Sequence, residues 1–181
     1  AWDTYLLSDT MTIDGNLTYL KAYPGGGASQ SRSSVTRGGI NEMVFSFGGN
    51  YDDKLFLGAT IGVPFVSYHE ESTYTEFDVE DSIFDFKRLR MQDELHTSGT
   101  GINLKLGMIY RPVKWLRLGA AFHTPTFYGL HDRYDRSMES WFDNGDNFSS
   151  SSGLGEYDYR LETPMRFIGS IALIHGKYGL I

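Results

Sequence analysis

Residues 101–125 read GINLKLGMIYRPVKWLRLGAAFHTP, and the fold turns on this stretch. From Ile102 every second residue is apolar, through Leu104, Leu106, Met108 and Tyr110, with Gly101, Asn103, Lys105, Gly107 and Ile109 between them. After RPVK (111–114) the pattern resumes. Leu116, Leu118, Ala120 and Phe122 share one face, and Arg117, Gly119, Ala121 and His123 share the other. A period of two places successive side chains on opposite faces of a strand. Two such runs joined by a short polar turn predict an antiparallel hairpin.

Three more segments repeat the pattern. INEMVFSFG (40–48) sets Met43, Phe45 and Phe47 against Glu42, Val44, Ser46 and Gly48. LFLGATIGVPF (55–65) sets Leu55, Leu57, Ala59, Ile61, Val63 and Phe65 against Phe56, Gly58, Thr60, Gly62 and Pro64. MRFIGSIALI (165–174) sets Met165, Phe167, Gly169, Ile171 and Leu173 against Arg166, Ile168, Ser170, Ala172 and Ile174. Between strands, YDDK (51–54), RPVK (111–114) and HGKY (175–178) read as tight turns. The stretches 1–37, 69–97 and 129–157 read as long loops, and DNGDNFSSSSGLGE (143–156) has the composition of a disordered segment. The expected organisation is a loop over 1–37, a hairpin over 38–68, a loop over 69–97, a hairpin over 98–128, a loop over 129–157 and the start of another hairpin over 158–181.

Across these five strands the apolar phase contains no charge, while Glu42, Lys105, Arg117 and Arg166 all fall in the opposite phase. Arg or Lys facing lipid at a bilayer midplane costs ~2–4 kcal/mol, so a charge-free face is what a membrane demands. Five outward residues span about 26 Å of strand, close to the apolar band of an outer-membrane barrel. Aromatics stand beside the turns (Tyr51, Tyr110, Trp115, Tyr178) and at the loop ends (Phe65, Tyr68, Phe122, Phe127, Tyr128), the placement of interfacial girdles. The prediction is all-β: an antiparallel transmembrane β-barrel with short periplasmic turns and long extracellular loops. A soluble β-sandwich also alternates, but its solvent face carries more Lys, Glu and Thr and less Gly.

Composition agrees. The chain has 181 residues, 15% aromatic, with 21 Gly and no Cys, so disulfides and thiolate metal sites are excluded. A net charge of −7 argues against a nucleic-acid partner. No apolar run is long enough for a membrane helix. The opening AWDTYLLSDT has no charged or apolar leader pattern, so any signal peptide is expected to lie outside this sequence.

Three stretches, 29–66, 97–131 and 164–181, together resemble the FadL/TodX family of outer-membrane transport proteins. The resemblance is carried by GINLKLGMIYRPVKWLRLGAAFHTP and by the closing GKYGLI. It implies a 14-stranded barrel in a Gram-negative outer membrane that takes up long-chain fatty acids or other hydrophobic molecules. The family's N-terminal plug has no counterpart here, so the sequence is expected to be an internal piece of a larger barrel. The partners implied are a hydrophobic ligand and outer-membrane lipid. A barrel subunit that binds protein partners in an outer-membrane assembly is the alternative, and a soluble extracellular module a further one.

Candidate site residues follow from the inward phase. Lys105, Arg117 and Arg166, with Glu42 among them, form a polar ladder that can receive a carboxylate, Arg by a bidentate grip. The same charges also suit a self-neutralising network, with Glu42 expected to pair with at least one base. His123 faces the same way. Pro64 cannot donate to a ladder; it marks either a strand end or, as the resemblance implies, a kink that gates the wall. No His or carboxylate spacing indicates a metal, and neither a cofactor nor an enzymatic activity is expected. The acidic stretch HEESTYTEFDVEDSIFDF (69–86) is expected as a solvated loop, with Tyr74, Phe77, Ile83, Phe84 and Phe86 able to line a greasy surface groove.

Overall fold

The computed structural model describes residues 3–13, 16–21 and 27–174. Every element in it is a strand: β1 (Leu7–Ile13), β2 (Asn16–Lys21), β3 (Ala28–Tyr51), β4 (Leu55–Asp78), β5 (Phe86–Val113), β6 (Leu116–His123), β7 (Phe127–Phe142), β8 (Asn147–Ser151), β9 (Gly155–Glu162) and β10 (Arg166–Leu173). β1 and β2 pair with each other. The other eight form one sheet in the order β10-β6-β5-β4-β3, with β7 against β5, β8 and β9. Among the described residues β3 and β10 each have one neighbour, so the sheet is antiparallel and open, without the closure that defines a barrel.

The strands run well beyond the alternating segments. The expected loop 69–97 is strand to Asp78 and again from Phe86, which leaves only 79–85 as a connection. Within 1–37, β3 begins at Ala28. In 129–157 the chain makes a β7–β8 hairpin, where the register runs from Ser137 opposite Ser151 to Trp141 opposite Asn147. The serine-rich run is therefore ordered by backbone pairing, which is indifferent to side-chain polarity, and Phe148 anchors it 5.8 Å from the Phe142 ring.

Two of the tight turns have identifiable chemistry. At 51–54, Asp52 and Asp53 both take φ of 51°, and Lys54 N–H donates to Tyr51 O at 3.1 Å. Two successive left-handed residues make a type I′ turn, whose twist matches that of the flanking strands. Asp52 also pairs with Lys54 at 2.9 Å, which raises the lysine pKa. The turn expected at 111–114 instead centres on 114–115. The register shifts between Tyr110 and Val113, so Arg111 and Pro112 sit in a bulge, where a proline costs no ladder bond. The HGKY turn, with His175 and Tyr178, lies outside the described residues.

The chain divides into two compact units. The first comprises Ala1–Gly38, Tyr68–Thr97 and Asp132–Tyr157; the second, Gly39–Ser67, Ser98–His131 and Asp158–Ile181. The first has its own core: Leu6, Ile83, Phe86 and Leu89 are buried, and Ala28, Tyr74, Met138 and Phe142 pack against them. Ile83 is thus a core residue, not part of a surface groove, while Phe86, 1% exposed, belongs to the core and Phe84 remains 89% exposed. In the second unit the apolar phase stays in register across strands. Leu106, Phe122 and Phe167 form one row, Met108, Ala120 and Gly169 the next, and Tyr110, Leu118 and Ile171 a third. This face is uncovered among the described residues: Phe167 is 75% exposed, Ile171 72% and Phe47 71%.

Candidate functional site

On the reverse face of the second unit, Lys105, His123 and Arg166 stand directly opposite one another on β5, β6 and β10. Directly opposed Cβ atoms are about 5 Å apart, so three basic side chains form one row. With Glu42, Pro64, Asn103, Thr124, Thr126, Tyr128, Thr163 and Pro164 they line a cavity of about 520 Å³. Five of the six sequence-derived candidates therefore meet at one place. Arg117 does not: it stands opposite Ala172, near the 114–115 turn. It lies six positions from His123, about 20 Å of strand.

Glu42 reaches this row by crossing a strand. It sits on β3, and its carboxylate accepts bonds from Lys105 Nζ at 3.0 Å to both oxygens and from Asn103 Nδ2 at 2.9 Å, both on β5. β4 lies between them, and the crossing is possible because Gly62 presents no side chain there. A Cβ on Gly62 would stand 2.2 Å from Glu42 Oε1 and 2.7 Å from Asn103 Oδ1. The expected ion pair is thus present, with Lys105 as the partner. Among the described residues neither His123 nor Arg166 has a carboxylate partner, so the row keeps a net positive charge.

Prolines shape the walls. Pro64 does not end a strand: β4 continues to Asp78, has neighbours on both sides, and holds Pro64 almost wholly buried. An interior strand thereby lacks one donor. Pro125 separates β6 from β7, and the gap is bridged by threonines. Leu104 N–H donates to Thr124 Oγ1 at 2.9 Å, and Thr126 N–H to Thr163 Oγ1 at 2.9 Å. Sequence reasoning missed Asn103 and these threonines. A signal was present in the repeated Thr-Pro steps at 124–125 and 163–164, which the fold sets on neighbouring chain segments.

The same face changes character toward the turns. Beyond the basic row come Gly107, Ala121 and Ile168, then Ile109, Gly119 and Ser170. These residues, with Phe56 and Gly58, line a second cavity of about 410 Å³. Charge at one end and small or apolar side chains beyond it match a ligand with an anionic head and an apolar tail. Compared with known proteins, the sequence matches no family model and no curated protein.

Proposed function

We propose that this chain forms part of the wall of an outer-membrane β-barrel of the FadL/TodX type, which passes hydrophobic or amphipathic small molecules such as long-chain fatty acids. The observation that carries the reading is the graded face of the second unit. The Lys105–His123–Arg166 row receives a carboxylate, and the Gly107–Ala121–Ile168 and Ile109–Gly119–Ser170 rows leave room for an alkyl chain. The opposite face supports a lipid environment. Its aligned Phe, Leu, Ile and Met side chains are uncharged and exposed, a patch that water disfavours. A groove of about 630 Å³ on that face, between Phe47, Leu57, Leu106, Met108, Phe122 and Phe167, suits lipid acyl chains. Pro64, buried beside the basic row, is the position at which the resemblance places a gate in the wall.

Of the bases in the row, Arg166 is the one with a planar fork and, among the described residues, no ion-pair partner. Replacing it by Gln removes a charge-assisted bond of ~1.5–3 kcal/mol, roughly ten- to hundred-fold in affinity for an anion. In uptake assays with cells expressing the protein, Arg166→Gln should depress fatty-acid uptake relative to uncharged hydrocarbon, and Arg117→Gln should leave the ratio unchanged. Equal losses of both ligands in Arg166→Gln would show that the arginine only braces the sheet. A band that migrates differently before and after heating, together with partition into the detergent phase, tests the membrane setting separately.

A further inference from the structure

We propose that an aromatic pocket in the first unit, lined by Tyr5, Phe84, Asp85, Phe142, Asp146 and Phe148, binds a small organic ammonium ion. The pocket has a volume of about 310 Å³ and is also lined by Phe86 and Asn144. Its rings are arranged around a corner. Phe148 lies 4.4 Å from Tyr5 at a tilt of 46°, and 5.8 Å from Phe142 at 72°. Phe86, 1% exposed, fixes the floor, whereas Phe84, 89% exposed, stands as a free wall.

Aromatic rings present a negative face, and a cation set among several of them is attracted by each. Two carboxylates, Asp85 and Asp146, add full negative charge, and among the described residues no Lys or Arg joins the lining. Asp146 is held in place by Asn144, whose Nδ2 donates to its Oδ2 at 2.8 Å. Tyr5 and Asp85 both adopt left-handed backbone, with φ of 56° and 64°, and both line the pocket.

The chemistry selects among occupants. A neutral apolar ligand would leave the negative charge of the two exposed carboxylates unmatched. A hard divalent cation needs six to eight oxygens, which an aromatic lining does not supply, and no metal-binding group of His, Asp and Glu occurs among the described residues. An alkylated ammonium satisfies both halves, with apolar methyls against the rings and positive charge toward the carboxylates. The volume fits a compact headgroup rather than a long amphiphile.

The test is ligand-observed NMR on the full chain in a maltoside detergent, which carries no ammonium group. The probes are choline and its uncharged carbon isostere 3,3-dimethyl-1-butanol. Choline should bind saturably, and the alcohol at least about tenfold more weakly, the range cation–π attraction and charge together give. Phe84→Ala removes an exposed side chain, and Asp85→Asn keeps a residue that tolerates left-handed backbone. Each should weaken choline severalfold while circular dichroism is unchanged. Equal binding of choline and alcohol, no saturable choline binding, or wild-type affinity in both variants overturns the proposal.

Discussion

Gly62→Ala is the sharpest test of how the basic row is assembled. The new methyl carbon would stand 2.2 Å from Glu42 Oε1 and 3.0 Å from Glu42 Cδ, whereas ordinary contact begins at 3.4 Å. The carboxylate must retreat by more than an ångström, which breaks its bonds to Asn103 Nδ2 at 2.9 Å and Lys105 Nζ at 3.0 Å. Hydrogen bonds to charged groups are worth ~1.5–3 kcal/mol each. The two side chains here are 33% and 31% exposed, so solvent screening reduces the combined loss to about 1–2 kcal/mol. Gly58→Ala is the control on the same strand and face: its Cβ meets nothing closer than Phe47 O at 3.8 Å. Relief of glycine's conformational entropy should make that variant neutral or slightly stabilising. Urea unfolding of the full chain in detergent, followed by tryptophan fluorescence, should therefore separate the two variants by about 1–2 kcal/mol. In a Glu42→Ala background most of the separation should disappear, because the remaining 2.7 Å approach is to Asn103 Oδ1, whose side chain can turn away once its bond to Glu42 is gone. If Gly62→Ala costs as much without Glu42 as with it, the alanine is being refused for another reason and the strand-crossing account fails.

Two further outcomes follow from other parts of the fold. Asp53→Gly keeps the left-handed geometry of the 51–54 turn at no steric cost, so it should be neutral or stabilising by up to about 1 kcal/mol in the same assay, whereas Asp53→Val should destabilise. The Tyr74 phenol is pushed from 10 up to about 12, first by burial and then by its hydrogen bond to Glu76. The folded chain therefore holds that proton more tightly than the unfolded one. The stability this contributes is full below pH 10 and is lost as pH rises toward 12. Tyr74→Phe should flatten that part of the alkaline unfolding curve. Glu76→Gln should bring the phenol's pKa only partway back toward 10, since burial remains; no change in either variant would refute the assignment.

The alternating segments were legible because a face that shuns charge writes a period of two into the sequence, as Leu104, Leu106 and Met108 do against Asn103, Lys105 and Gly107. The continuation of β4 to Asp78 was not, because residues 69–78 carry polar groups in both phases and only the Thr73–Tyr74–Thr75 run favours a strand. Phase also reveals a side chain's face without its level along the strand. Lys105 and Arg117 share a face, yet one stands far from the 114–115 turn and the other beside it. Distance from the turn was the missing coordinate, and it would have set Arg117 apart. Gly62 was invisible for a different reason: its part is to be absent, and an absence acquires meaning only once Glu42 is seen to cross it.

The three prolines at the basic row change what holds the sheet together there. An amide-to-amide ladder bond survives exchange with solvent only by local opening of the strand pair. Where Pro64, Pro125 and Pro164 withdraw their donors, part of the cohesion passes to the hydroxyls of Thr124 and Thr163. Each of these oxygens accepts from a backbone amide and keeps its own proton to donate, as Thr124 does to Pro125 O, and that proton can turn to a water or a ligand oxygen without moving any strand. The sheet at this level is thus a seam stitched with exchangeable thread, where contacts can be traded one at a time while the paired amides above and below stay closed.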